Sequence, residues 1–165
     1  MPARYGSLAV LLLLVVAAAY VAGSFEAGEW YYQKLNKPAW TPPGATLGAG
    51  WALAWLTLAL AAWQSWRSDR YARPGARAGA LAWWLLLLAL TVGWSALFFG
   101  LNRIGWAWLD LSLALAVILF CIRAFLPLSR QAAYLMLPGL LWLLFIWVLN
   151  LAMWTLNGGP LGRFL

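Results

Sequence analysis

The sequence predicts an all-α integral membrane protein, a single bundle of five transmembrane helices, and three observations predict it. Of 165 residues, 65% are hydrophobic and 9% charged, against roughly 45–50% and 25% in a soluble domain. The charges punctuate apolar runs, and five of these runs match the ~20 residues a helix needs to cross about 30 Å of hydrocarbon. No segment alternates apolar and polar residues in the ~10-residue repeats of a membrane barrel. Lipid offers backbone groups no partners, so the spans must be helical.

The first span runs from Gly6 to Phe25 and carries no charge. Arg4, the apolar stretch Leu8 to Ala19 and the Val21-Ala22-Gly23-Ser24 stretch also fit a cleavable signal peptide. A long connection follows, Glu26 to Gly44. Lys37-Pro38 and Pro42-Pro43 stiffen it, because each proline pushes the preceding residue out of the helical region. It also holds Trp30-Tyr31-Tyr32 and Trp40, which a plain linker would not need. Two readings stay open for it, a lid folded over the bundle mouth and an interfacial aromatic belt. The second span covers about Ala45 to Trp66, the third Ala78 to Asn102, the fourth Ile104 to Ile122 and the fifth Gln131 to Asn157. Residues 1–165 thus form one domain.

Orientation follows from basic residues on alternate sides of the membrane. Arg4, Arg67, Arg70, Arg73, Arg77, Arg123 and Arg130 fall on one side; Lys34, Lys37, Arg103 and Arg163 on the other. The positive-inside rule therefore expects a cytoplasmic N-terminus and an exterior first loop.

Inventory removes several chemistries. The chain has one Cys and no His, which excludes disulfide scaffolds, His/Cys zinc sites, His-based triads and imidazole-ligated haem. The net charge is +7, but the basic residues form no aromatic-interleaved patch, so nucleic acid is not an expected partner. The lipid membrane is. No catalytic and no metal-ligating residues are assigned. Cys121, late in the fourth span, reads as an inert packing thiol.

Some of the 14 tryptophans lie where an interfacial belt accounts for them: Trp30, Trp40, Trp66, Trp106, Trp108 and Trp154. Trp55, Trp94 and Trp147 lie deeper. At ~100° per residue, Trp142, Asn150, Trp154 and Asn157 share a sector of the fifth span. Trp83, Thr91, Trp94, Ser95 and Phe98 share one of the third, and Trp51, Trp55, Trp63 and Trp66 one side of the second. Polar side chains in hydrocarbon turn toward the bundle interior, so the Asn150 and Thr91 faces are expected inward with their tryptophans. That inward surface reads either as packing or as a pocket for a flat hydrophobic ligand. Asp110 is the one ionisable group well inside a span, on one face with Arg103 and Trp106. It is either a functional carboxylate or a carboxyl bonded near the interface.

Taken together, these motifs resemble the translocator protein family, also called tryptophan-rich sensory proteins or peripheral benzodiazepine receptors. The first loop reads Trp30-Tyr31-x-x-x-Leu35-x-Lys37-Pro38-x-Trp40-x-Pro42-Pro43, similar to the family's loop signature with one extra residue before Leu35. Trp51 follows at the family's spacing, with Trp55 at a place usually held by Tyr. Trp94-Ser95-Ala96-Leu97-Phe98-Phe99-Gly100 resembles the family's third-span ending. Gly105-Trp106-Ala107 with Asp110 and Pro138-x-x-x-Trp142 are similar to family segments as well. So is Leu149-Asn150-x-x-x-Trp154-x-x-Asn157.

The resemblance implies a five-helix bundle, a homodimer, and a ligand pocket near the mouth covered by the first loop. Implied ligands are tetrapyrroles such as protoporphyrin IX and haem, sterols, and synthetic benzodiazepine-site drugs. The expected function is thus a membrane receptor for such ligands, in tetrapyrrole handling, regulation or stress response. Light-dependent porphyrin breakdown, implied for some bacterial members, would carry over to Trp51 and Trp142. This chain departs from the pattern at Thr91, where an Asn is common, and at Gly139, where a Tyr is usual. It also lacks the Tyr and Lys/Arg of the animal cholesterol motif after Asn150, which leaves tetrapyrroles as the expected ligand. Porphyrin or haem enters as a ligand, with no cofactor required. Without imidazole, recognition is expected through the ring faces and propionates. The expected ligand residues are Trp51, Thr91, Trp94, Phe98, Asp110, Trp142 and Asn150, with Lys34 or Lys37 drawing propionates to the mouth. The alternative is a transporter of small amphipathic molecules with Asp110 as its coupling group.

Overall fold

The computed structural model describes residues 2–25, 27–68 and 74–158, excluding the side chains of residues 2–5. Of the charges used for orientation, Arg70, Arg73, Arg163 and the side chain of Arg4 lie outside these residues, as does Glu26 at the start of the first loop. The described elements are α1 (Pro2–Gly23), α2 (Gly44–Trp66), α3 (Ala76–Ser95), α4 (Ile104–Phe125), α5 (Arg130–Leu135) and α6 (Leu137–Leu156). Two π-helical turns, Trp30–Lys34 and Ala96–Gly100, accompany them. No strand occurs among the described residues. Five stretches are long and apolar enough to span a bilayer: Gly6–Gly23, Gly44–Trp66, Ala76–Gly100, Ile104–Phe125 and Arg130–Leu156. The protein is a multi-pass integral membrane protein.

Local sequence explains the boundaries. Pro43, extended at φ −55° and ψ 150°, starts α2; Gly75, at φ 81°, supplies the left-handed turn ahead of α3. The fifth span is not one helix. Pro138 has no N–H to give the carbonyl four residues back, and its ring crowds that carbonyl. The chain therefore breaks at Met136, between α5 and α6. Ser129 caps α5 by accepting from Ala132 N at 3.3 Å. The fourth helix runs three residues past its expected end, to Phe125, with Arg123 placed favourably against the C-terminal dipole.

Helix α1 packs on α2 and α3, α3 on α4, α4 on α6, and α5 and α6 on α2. The five spans therefore close a ring in the order first, second, fifth, fourth, third. Lipid removes the hydrophobic drive for helix association, so close backbone approach and interhelical hydrogen bonds must supply it. The buried alanines Ala59, Ala61, Ala62, Ala80, Ala107, Ala114 and Ala132 allow that approach. Trp84, 1% exposed, donates its indole N–H to the Leu58 carbonyl at 2.9 Å and ties α3 to α2.

Several tryptophans have packing roles. Trp147 donates to Ser112 Oγ at 2.8 Å and lies 5.1 Å from the Trp108 ring, closing the α4–α6 seam. Trp154, expected in the belt, is buried instead. Its ring packs against Gly105, where an added Cβ would lie 3.0 Å from it. Trp83 shares its helical sector with Trp94 yet turns outward, 40% exposed and stacked on Phe120 at 5.2 Å.

Candidate functional site

A cavity of about 540 Å³ lies at the end of the ring where α2 begins and α3 and α6 finish, within the roughly 300–1,000 Å³ that suits small-molecule ligands. Its walls are unequal. Small residues of α1 and α2, Ala19, Ala22, Gly23, Gly44, Gly48 and Ala52, form one part of the lining, while Trp51 and Trp55 of α2 join Trp94, Phe98 and Phe99 in an aromatic part. Small residues in one part leave the volume; large rings in the other give it a flat face.

The aromatic wall is continuous. From Trp55 to Trp51, Trp51 to Trp94 and Trp94 to Phe98 the ring centroids step 5.4, 5.3 and 5.4 Å. Trp30 of the loop meets Phe98 edge-on at 5.7 Å. Such pairs contribute about 0.5–1.5 kcal/mol each beyond area burial. The π-helical turn at Ala96–Gly100 matters here. Leu101 N bonds to Ala96 O at 2.9 Å, across five residues, and the widened turn brings two consecutive rings, Phe98 and Phe99, to the cavity.

Hydrogen bonds lock this wall. Trp94 Nε1 donates to Asn150 Oδ1 at 3.1 Å, and Asn150 Nδ2 donates to the Ile104 carbonyl at 2.9 Å. One buried amide therefore joins α3, α6 and α4. Trp55 Nε1 donates to Thr91 Oγ1 at 3.2 Å, which in turn donates to its own helix at Leu88 O, 2.8 Å away. Among the described residues, no charged side chain lines the cavity.

The first loop folds back over the mouth. Tyr31 and Tyr32 line the cavity, and Tyr31 meets Phe99 edge-on at 5.5 Å. Lys37 Nζ donates to the Tyr31 carbonyl at 2.8 Å and sits 4.4 Å above the Tyr31 ring. Burial, and then the neighbouring Tyr32, hold the Tyr31 phenol above its ordinary pKa of 10.0, so it is neutral at physiological pH. Trp40 meets Phe145 at 6.2 Å, Leu35 is buried, and Thr41 N bonds to the Pro38 carbonyl at 3.0 Å. The far end of the loop is latched by Asn157. Its Oδ1 accepts from Asn36 N at 2.9 Å and its Nδ2 donates to Asn36 O at 2.8 Å. Asn157→Ala removes both bonds. At a net ~0.5 kcal/mol or more per bond, the loop should open more often, and release of a trapped ligand should quicken about fivefold in stopped-flow fluorescence. Unchanged release would show that the latch does not govern the mouth.

The expected ligand residues divide. Trp51, Trp94, Phe98 and Asn150 line the cavity; Thr91, Asp110 and Trp142 do not. Thr91 is screened by Trp55. Trp142 stands behind Trp51, edge-on at 6.4 Å, packed over Gly50. Asp110 lies across α4 against Gly93 of α3, where a Cβ would meet its Oδ1 at 3.2 Å. Gly139, where the family pattern usually has Tyr, faces Leu58 and Ile118, with an added Cβ 3.1 Å from Leu58. Of the two mouth lysines, Lys37 fastens the loop, and Lys34 sits 3.9 Å from Glu29. Trp55, Ser95, Phe99 and Tyr31 are lining residues outside the expected set. Trp55, one turn after Trp51 on the same face, could have been included from spacing alone.

The model of the TspO/MBR family matches residues 9–155. The chain belongs to the TspO/MBR family. It is 31% identical over 163 residues to the human protein named "Translocator protein", covering 96% of this chain and 91% of that one. It is 34% identical over 141 residues to the pig "Translocator protein", covering 82% and 79%. It is 28% identical over 157 residues to "Tryptophan-rich protein TspO" of Chlorobaculum tepidum, covering 92% and 96%. Membership in the TspO/MBR family and the cavity support a membrane ligand-binding role.

Proposed function

We propose that the chain is a membrane receptor for flat hydrophobic ligands, with tetrapyrroles such as protoporphyrin IX or haem as the ligand class, acting in tetrapyrrole handling, regulation or stress response. The single observation that carries the reading is the continuous ring wall Trp55–Trp51–Trp94–Phe98 facing a cavity that no described residue lines with charge. A planar macrocycle lies against such a wall by stacking and dispersion. Its carboxylates stay at the mouth, because no described lining residue inside carries a charge to repay their desolvation. Asn150 commits one lone pair and one hydrogen to Trp94 and Ile104, which leaves it at most one of each for a guest.

Loop and cavity support a receptor whose first loop acts as its lid, and the family resemblance favours a homodimer. The Lys and Arg distribution supports a cytoplasmic N-terminus. The transporter reading relied on Asp110 as a coupling group, and that carboxylate is not a cavity residue. Receptor binding is therefore the better-supported function.

Titrating protoporphyrin IX against the purified protein, with Trp quenching as the signal, tests the site. Trp51→Ala should weaken binding about 2- to 12-fold, the equivalent of one stacked contact. Trp142→Ala, one ring further back, should have the smaller effect. Equal affinity for wild type and a Trp51→Ala, Trp94→Ala double variant removes the assignment.

A further inference from the structure

The end of the bundle opposite the cavity holds a second assembly of side chains. The Ser68 hydroxyl donates to the Leu128 carbonyl, and the Ser68 carbonyl accepts from Arg77 Nη2 at 2.7 Å. Gln64, one turn earlier on α2, bonds to Gln131. These contacts draw Arg67, Arg77 and Arg130 to one corner, where α2 ends and α3 and α5 begin. Arg67 lays its guanidinium over the Trp63 ring at 4.5 Å, a face-on contact that does not use the N–H edges of the planar fork. Arg77 Nε is buried without a hydrogen-bond partner. The acidic side chains among the described residues, Glu29 and Asp110, both belong to the cavity half of the molecule. No described carboxylate neutralises the corner. Trp66, 48% exposed, and Leu126, 42% exposed, place bare apolar surface beside it.

We propose that this corner binds the phosphate headgroup of an anionic phospholipid, held by Arg67, Arg77 and Arg130. Guanidinium forks match phosphate oxygens in paired, charge-assisted hydrogen bonds. Basic recesses between membrane helices on the cytoplasmic side suit anionic headgroups. The adjoining Trp66 and Leu126 surface favours a lipid over a soluble phosphate, because it gives the acyl chains a place to lie. This inference is independent of the ligand reading for the cavity, since it uses the other end of the bundle and other residues.

The test is native mass spectrometry of the full chain released from nanodiscs of phosphatidylcholine mixed with phosphatidylglycerol. Wild type is expected to retain phosphatidylglycerol in preference to phosphatidylcholine. The exposed pair Arg67→Gln, Arg130→Gln should cut that retention at least fivefold, the fold-change expected for one interfacial basic residue, with an unaltered far-UV spectrum. Arg67→Lys, Arg130→Lys keeps the charge without the fork and should lose less. Excess inorganic phosphate should leave the retained lipid in place. Equal retention of the two lipids by wild type, or a preference that survives in the Gln pair, overturns the proposal. Displacement by inorganic phosphate also overturns it and reassigns the corner to a soluble anion.

Discussion

Asn150→Ala should destabilise the protein by roughly 2–4 kcal/mol, from about 1–2 kcal/mol per interhelical hydrogen bond in a membrane interior and the two bonds lost. The amide accepts from Trp94 and donates to the Ile104 carbonyl, so its removal strands an indole N–H on α3 and loosens the start of α4 at once. Asn150 is 2% exposed, so the stranded groups are poorly placed to reach bulk water. Trp94 should then leave its stacked position between Trp51 and Phe98, and protoporphyrin IX affinity should fall with stability. Asn150→Gln keeps the amide but displaces it by a methylene, and should recover neither property fully. Equilibrium unfolding in mixed detergent reads the stability, and a wild-type midpoint for Asn150→Ala would contradict the bridging role.

Gly50→Val should be nearly as damaging, for a steric reason. A Cβ added at Gly50 overlaps the six-membered ring of Trp142, a rigid indole that cannot swing aside cheaply. It is hemmed in by Phe145 at 5.3 Å and Trp51 at 6.4 Å. Overpacking of this kind costs about 1–3 kcal/mol. The displaced ring pushes on Trp51, so ligand affinity should drop although neither Gly50 nor Trp142 borders the cavity. Gly79→Ala on α3 is the control, because nothing lies within 4 Å of the added atom. It should be neutral or gain up to about 1 kcal/mol from helix propensity. Matching melting curves for Gly50→Val and wild type would rule out the proposed packing.

The spans were legible because bilayer thickness leaves little choice: an uncharged apolar run of this length has to be a helix across the membrane. Asn150 was legible as an inward residue for the same class of reason, since an amide facing lipid goes unsatisfied. Trp83 and Trp94 show where this reasoning stops. Eleven residues apart, they differ by only about 20° around α3 but by about 16 Å along it. Helices in a bundle cross at an angle, so the same face looks into the cavity at one end and toward lipid and Phe120 at the other. Thr91 was placed on the correct side of its helix, but its hydroxyl is shielded by a ring from α2. Asp110 stood out as an intramembrane carboxylate, and no property of its own helix could show that its neighbour would be Gly93 of α3.

The sequence by itself determined a five-helix membrane protein, an aromatic first loop and the inward amide, since each follows from satisfying local polar groups in a medium without water. Only the tertiary structure decided which rings border the hollow, which merely support them, and how Asn157 and Lys37 hold the loop across its mouth. Those outcomes depend on small residues such as Gly48, Gly50 and Ala52, which carry no chemical signal of their own. Their meaning is the space they leave, and that space exists only once the neighbouring helices stand around it.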